Sequence, residues 1–152
     1  MIDTRTAVVS CVGMFSKSNE EMFKVNGDSN AELMRTASSN GALRFLYVSA
    51  YRVEDQLPFK LLPGYFEGKR YAEKAVQEYF PNQRRVVLQP GMVYGQRVQG
   101  GTKTPLQYVG APLEYLFTLP IFDQLQRHKK GQLAFSPAVN VHDVAKTVIC
   151  GA

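Results

Sequence analysis

The sequence predicts an α/β protein with a parallel sheet that is covered by helices on both faces. Three short apolar runs rich in β-branched residues have the pattern of fully buried strands, and segments with helical periodicity separate them. Strands that alternate with helices in this way form right-handed βαβ units. The chain has 152 residues, of which 45% are hydrophobic and 20% charged, which suits one globular domain and excludes a disordered or fibrous chain.

The first strand and the first helix have clear boundaries. Residues 6–12 form the first predicted strand, which should be buried on both faces and which ends at Gly13. Ser18 followed by Glu21 has the spacing of a capping box, and apolar residues then recur at helical intervals. We therefore predict a helix of about five turns that ends before Gly41.

Two more strands and a second long helix follow. Residues 43–49 and 85–89 read as buried strands. Between them, residues 65–80 are rich in Glu, Lys and Ala, which favours a helix, and Pro81 stops it. The pattern so far predicts a strand, helix, strand, helix, strand order with all three strands parallel.

The last third of the chain has a different composition, in which glycines and prolines interrupt short helical stretches. Residues 139–141 read as a short strand and residues 143–149 as a final helix. We predict one domain over residues 1–152, with a strand and helix core at 6–95, an irregular substrate-side segment at 96–140 and a terminal helix at 141–152. Irregular segments of this kind build ligand sites in α/β proteins.

Composition excludes several classes of function. The net charge of +5 is spread along the chain, and the only basic run, at residues 127–130, suits a solvated helix end better than a nucleic-acid site. Cys11 and Cys150 lie too far apart in sequence for a zinc module, and His128 and His142 lack an acidic cluster, so we predict no metal site. No apolar run is long enough to span a membrane.

Sequence blocks in order along nearly the whole chain resemble the short-chain dehydrogenase/reductase superfamily in its extended or atypical branch. The most similar members are organellar: a plastid NAD(P)-binding group, a fungal protein attached to the coenzyme Q synthesis complex, and the NAD(P)-binding accessory subunit of respiratory complex I. The matching blocks are Val8 to Gly13, Val25 to Gly27 with Asn30 and Ala37, Arg44 to Ser49, Gly64 to Lys69 with Ala72 and Glu73, Gln89 to Gly95, Gly110 to Glu114, and Val141 to Ala145.

The resemblance implies a Rossmann-like, doubly wound parallel sheet that is incomplete and corresponds to the C-terminal part of the fold. In the superfamily, a strand and a glycine-rich phosphate-binding turn should precede residue 6 by about 60 to 80 positions, and these 152 residues do not contain that turn. The implied cofactor is NAD(P), if the missing N-terminal half is supplied. We expect the isolated chain to bind dinucleotide poorly.

Three residues resemble the catalytic groups of the superfamily. Tyr65 and Lys69 are four positions apart and share a helix face, where Tyr would be the general acid/base and Lys would lower its pKa and hold the nicotinamide ribose. The alternative is that Tyr65 covers a loop and Lys69 is solvent-exposed. Ser49 ends the second strand, where the superfamily has a substrate-orienting hydroxyl, although it is equally compatible with a plain strand-end serine.

A second group resembles the residues that line the cofactor. Gly13 matches the position where the backbone passes under the ribose, or it serves a tight turn. Asn26 resembles a helix asparagine that supports the active site, or it is exposed on an amphipathic helix. The cofactor-binding residues that we predict by this resemblance are Cys11, Val12, Gly13, Asn26, Tyr65, Lys69, Pro90, Gly91 and Val93. As an alternative role, Pro90 and Gly91 turn the chain, and Cys11 packs as an inert apolar residue inside its strand.

The resemblance implies an accessory or assembly subunit of a quinone-linked or respiratory complex, with weak or no catalysis. The alternatives are an active NAD(P)H-dependent reductase or epimerase that uses Tyr65 and Lys69, and a structural subunit without a ligand. The expected location is the mitochondrion, with the chloroplast as the alternative. We expect protein partners and no nucleic acid, and the apolar residues 105–122 could contact a quinone or a membrane surface or form a core segment or lid.

Overall fold

A three-stranded parallel sheet with the order β1-β2-β3 lies in the first of two structural units. The computed structural model describes residues 4–52, 62–91, 93–94, 96–99, 102–105 and 139–151. The first unit comprises Met1–Gln89 and Val148–Ala152, and the second comprises Pro90–Thr147. Most of the predicted irregular segment at 96–140 falls outside the described residues, and so does the apolar stretch at 105–122 apart from residue 105.

The three strands lie where the sequence predicts them. They are β1 (Ala7–Ser10), β2 (Arg44–Val48) and β3 (Arg85–Leu88). All pairings are parallel, with Val8 opposite Phe45 and Leu46 opposite Val86. Parallel pairing brings the carboxyl ends of the strands to one edge of the sheet, which is where α/β proteins bind ligands.

The prediction that the first strand is buried on both faces is wrong. Val9 in the middle of β1 is 40% exposed. In the sheet that the described residues form, β1 pairs on one side only, with β2, so it is an edge strand with less cover than a central strand.

The first predicted helix is one helical stretch with a change of pitch in its middle. It consists of α1 (Asn19–Phe23), a π-helical turn (Lys24–Asp28) and α2 (Ser29–Ser39). The predicted N-cap is confirmed, because Ser18 Oγ accepts a hydrogen bond from the Glu21 N–H at 3.2 Å. The wider π turn was not predicted, and such turns are frequent at functional sites.

The second long helix, α3 (Pro63–Tyr79), begins with a proline in its first turn. Proline lacks the N–H that would be unpaired there, so it suits this position. Leu62 precedes it with a φ of 46°, in the left-handed region, and so turns the chain into the helix. A short 3-10 turn (Asn82–Arg84) joins α3 to β3.

Two helices pack on one face of the sheet, and the end of the last helix contacts the other face. On one face, Phe45 and Tyr47 of β2 are fully buried against Met34 of α2 and Val76 of α3. Leu46 points to the other face, because side chains alternate along a strand. There it meets α4 (Val141–Gly151), in which a Cβ built on Gly151 would lie 3.2 Å from Leu46 Cδ2.

The second unit contains short strands. β4 (Val93–Tyr94) pairs in parallel with β7 (Val139–Asn140), and β5 (Gln96–Gln99) pairs antiparallel with β6 (Thr102–Pro105). The final helix α4 begins in this unit and ends in the first. No helix among the described residues has both the length and the apolar character needed to cross a bilayer.

Candidate functional site

The ammonium group of Lys69 lies at the carboxyl edge of the sheet. Its Nζ donates hydrogen bonds to the carbonyl oxygens of Val12, just beyond β1, and of Val48 at the end of β2, both at 3.1 Å. The residue is only 3% exposed. The alternative of a solvent-exposed Lys69 is therefore wrong.

Burial changes the pKa of the Lys69 ammonium. Loss of water around the ammonium lowers the pKa of Lys69 to about 8, against an ordinary value of 10.5. Two aromatic rings lie near the charge: Nζ is 5.0 Å from the centre of the Tyr47 ring and 5.9 Å from that of Tyr65. Both distances are within the range of a cation–π interaction, which favours the charged form.

Gly13 leaves room for the ammonium. A Cβ built on Gly13 would lie 3.2 Å from Lys69 Nζ and 3.0 Å from Asn26 Oδ1. Any side chain at this position would crowd both groups. The fold thus brings together four of the residues predicted to bind the cofactor: Val12, Gly13, Asn26 and Lys69.

Asn26 is a buried clamp on the segment that follows β1. Its Nδ2 donates to the carbonyl oxygens of Met14 at 2.8 Å and Met22 at 2.7 Å, and its Oδ1 accepts from the Met14 N–H at 3.2 Å. Asn26 is fully buried, so the alternative of an exposed position on an amphipathic helix is wrong.

A backbone carbonyl of the π-helical turn accepts two side-chain hydrogen bonds. The backbone oxygen of Asn26 accepts from Tyr47 Oη at 3.3 Å and from Asn30 Nδ2 at 3.0 Å. Asn30 Nδ2 also lies 3.3 Å from the Val12 oxygen, while Asn30 Oδ1 accepts from Ser10 Oγ at 2.6 Å. Asn26 and Asn30 therefore hold the end of β1 from one helical face.

Tyr65 lies in the first turn of α3, one helical turn before Lys69. Its ring stacks on Phe15, with centroids 4.4 Å apart and planes at 19°, and contacts Phe66 edge-on at 5.1 Å. Phe15 is 65% exposed, so it covers one face of Tyr65 while facing water itself. Stacked rings of this kind restrict the orientation of Tyr65.

Ser49 belongs to a neighbouring polar cluster. Its hydroxyl donates to Glu73 Oε1 at 2.6 Å. Burial raises the pKa of the Glu73 carboxyl, but hydrogen bonds from Ser49 and Gln89 and the charge of Arg70 lower it by more, so the pKa lies below its ordinary value. Glu73 is thus an ionised, buried acceptor for the proton of Ser49.

The other predicted cofactor residues are placed as follows. Cys11 is exposed, so the alternative in which it packs inside its strand is wrong, because β1 ends at Ser10. Pro90, Gly91 and Val93 belong to the second unit, where Val93 lies in β4 and is 37% exposed. In the part of the chain that the structure describes, no three His, Cys, Asp or Glu residues form a group that could hold a metal ion.

Sequence reasoning assigned no role to several residues of the site. For two of them, the spacing along the sequence was a usable signal. Asn30 follows Asn26 by four positions and Glu73 follows Lys69 by four positions, which places each pair on one helical face. The residues without a predicted role that contact the site are Ser10, Asn30, Tyr47, Arg70, Glu73 and Gln89.

Known proteins are similar to this chain over different lengths. It is 36% identical over 151 residues to an uncharacterized chloroplastic protein of Arabidopsis thaliana, a match that covers 95% of this chain and 48% of that protein. The chain therefore spans about half the length of the curated relative it matches. No protein-family model matches the sequence.

Two solved structures illustrate the structural similarity. BdcA in complex with NADPH matches 97% of this chain and 57% of its own, at 17% identity and a TM-score of 0.50. UDP-glucuronic acid 4-epimerase from Bacillus cereus in complex with NAD matches 63% of this chain and 35% of its own, at 21% identity and a TM-score of 0.48. The match to BdcA, together with the parallel sheet, confirms the predicted fold class, a partial Rossmann-like α/β fold.

Proposed function

We propose that this chain forms part of an NAD(P)-binding protein of the short-chain dehydrogenase/reductase superfamily, in which Lys69 binds the ribose of the cofactor. The observation that carries the proposal is the buried Lys69 ammonium between the strand-end carbonyls of Val12 and Val48. Two of its three N–H groups are used by these carbonyls among the described residues, so the third can donate to a ligand hydroxyl. BdcA, which shares the fold, binds NADPH, and this supports the same class of ligand.

The role that we propose is that of an accessory or assembly subunit of an organellar complex, with weak or no catalysis. A substrate-orienting serine must donate its proton to the substrate oxygen. Here Ser49 donates to Glu73 instead. The resemblance to coenzyme Q and complex I proteins supports a quinone-linked or respiratory assembly, and residues 105–122 are our candidate contact with a quinone, a membrane surface or a partner.

For location, we propose the chloroplast. The relative from Arabidopsis thaliana is a chloroplastic protein, which favours this alternative over the mitochondrion expected from the sequence. The longest natural chain that contains these residues, tagged at its C-terminus with a fluorescent protein, should co-localise with chlorophyll. Mitochondrial fluorescence would restore the first expectation.

The cofactor proposal is tested by titrating NADH and NADPH, followed by their fluorescence, against the same longest natural chain. Lys69→Met keeps most of the apolar stem and removes the donor, so the affinity should fall about tenfold or more, the value of a hydrogen bond to a charged group. Lys74→Met is the matched control, because Lys74 is exposed on the same helix. Equal affinities in all three proteins would exclude Lys69 as a cofactor ligand.

A second candidate function is an active NAD(P)H-dependent reductase or epimerase. It is favoured by the distance of 5.9 Å between Lys69 Nζ and the Tyr65 ring, because a nearby cation stabilises a phenolate. If Tyr65 is the general acid, Tyr65→Phe should lower NADPH oxidation with quinone or carbonyl acceptors by about a hundredfold. Tyr71→Phe on the exposed side of α3 is the control, and equal turnover in both variants would end this candidate.

A further inference from the structure

Three side chains of α3 each bind one of three consecutive residues where the chain leaves β2. The pairs are Lys69 with Val48 O at 3.1 Å, Glu73 with Ser49 Oγ at 2.6 Å, and Arg70 with Ala50 O at 2.5 Å. We call these contacts the strand-end clamp. Lys69 and Glu73 are one helical turn apart on the same face, so they hold neighbouring residues of one strand end.

Glu73 is the member of the clamp with the most partners. It is 5% exposed and forms a close ion pair with Arg70. Oε1 also accepts from Gln89 Nε2 at 2.7 Å, just beyond β3, and Oε2 accepts from Arg52 Nη2 at 2.9 Å. One buried carboxylate therefore links α3 to the ends of both β2 and β3.

The hydrogen bond from Ser49 couples the position of the Glu73 carboxylate to that of the Val48 carbonyl. Ser49 N donates to Leu88 O at 2.7 Å, which extends the β2–β3 pairing by one residue, while the Ser49 hydroxyl is held by Glu73. Val48 is the preceding residue, and its carbonyl receives the Lys69 ammonium. A shift of Ser49 would move that carbonyl, because the two residues share a rigid peptide plane.

We infer that Glu73 is a positioning residue, which holds the end of β2 so that the Val48 carbonyl keeps the Lys69 ammonium in its buried place. It acts through Ser49 and Val48 and touches no cofactor. The contacts of the strand-end clamp are observed in the structure, whereas their effect on cofactor affinity rests on the proposed function.

The test follows Lys69 itself by NMR of protein labelled at lysine Cε, with the signal assigned by its loss in Lys69→Met. The titratable or charged groups that act on the ammonium are Cys11, Tyr47, Tyr65, Arg70 and Glu73. Glu73→Gln keeps the size of the side chain and removes its charge. Glu78→Gln, at an exposed position of α3, is the matched control.

The direction in which the pKa of Lys69 changes distinguishes a positioning role of Glu73 from a purely electrostatic one. Loss of a nearby negative charge alone would lower the pKa of Lys69 further. If Glu73 positions the strand end, the ammonium in Glu73→Gln moves into water, and the pKa of Lys69 should rise from about 8 towards about 10.5. NADH affinity should fall about tenfold in parallel, and Glu78→Gln should change neither value.

A glutamine amide oxygen can still accept from the Ser49 hydroxyl, so Ser49→Ala, which removes this contact without changing charge, is measured beside Glu73→Gln. Ser49→Ala should also raise the pKa of Lys69, by a smaller amount. An unchanged or lowered pKa of Lys69 in both variants, or in Ser49→Ala alone where Glu73→Gln fails to fold, would overturn the inference. If the wild type does not bind NADH, the proposed function fails, while the Lys69 titration still decides the role of Glu73.

Discussion

At the scale of single residues, the main feature is a positive charge that the fold keeps out of water. Lys69 is 3% exposed, and among the described residues its ammonium is bound by backbone carbonyls rather than by a carboxylate. Such an arrangement costs free energy, because carbonyls replace only part of the lost hydration. A cost of this kind at the carboxyl edge of a parallel sheet supports the cofactor role that we propose for Lys69.

This cost predicts a pH dependence of stability. The folded protein releases the Lys69 proton near pH 8, whereas the unfolded chain keeps it until about pH 10.5. The unfolded state binds more protons in this window, so the free energy of unfolding should rise with pH, by up to about 3 kcal/mol. Burial raises the pKa of Tyr47, which opposes the trend above about pH 10.

Urea unfolding of wild type and Lys69→Met between pH 7.5 and 10 measures the effect. The difference between the two proteins isolates Lys69, because Tyr47 contributes to both. Wild type should gain stability relative to the variant as the pH rises. Parallel curves would show that the ammonium is solvated.

Residues with local signals were predictable, and those whose partners are distant in sequence were not. Ser18 was recognised as a cap because its partner, Glu21, lies in the same helical turn. The role of Glu73 was not predictable, because its partners Ser49 and Gln89 lie 24 and 16 positions away and meet it only in the folded chain. Cys11 was misjudged because the run of apolar residues extends beyond the strand.

At the scale of elements, the π-helical turn packs closely against α3, the helix that carries Lys69. A Cβ on Gly68 would be 3.0 Å from Gly27 N and 3.1 Å from Asn26 Cβ. Two helices pack this closely only where side chains are absent. The sequence predicted both helices, but periodicity alone does not reveal the π turn or this contact, since Gly27 fits an α-helical pattern equally well.

Gly68→Ala should therefore destabilise the protein by about 1 to 3 kcal/mol, the usual cost of overpacking. The intrinsic helix preference of alanine, about 1 kcal/mol, acts in the opposite direction and should be outweighed because Asn26 is held by Met14 and Met22. Gly64→Ala should cost more, because its Cβ would lie 2.0 Å from Asn19 O. Both are measured by thermal unfolding.

Gln77→Ala, at an exposed position of α3, is the control for helix preference in this series. It should change stability by less than about 0.5 kcal/mol. A Gly68→Ala variant as stable as this control would show that α3 and the π-helical turn can separate without cost.

At the scale of the whole molecule, the open side of β1 is the most consequential feature of the described sheet. β1 pairs with β2 on one side, and Val9 is 40% exposed. Parallel strands are normally buried, and an edge strand offers unpaired N–H and C=O groups to any other strand. Such an edge is suited to pairing with further polypeptide, whether of the same protein or of a partner.

The isolated chain of residues 1–152 should for this reason self-associate at micromolar concentration, and Val9→Lys should reduce the association. A lysine on an edge strand opposes pairing by charge repulsion and by the cost of burying the ammonium. Val141→Lys is the matched control, because Val141 is 41% exposed but lies in α4. Light scattering after size-exclusion chromatography should give a lower mass for Val9→Lys than for wild type and Val141→Lys. A wild-type chain that stays monomeric up to about 100 μM would show that the β1 edge is protected, because an open edge of this kind pairs readily.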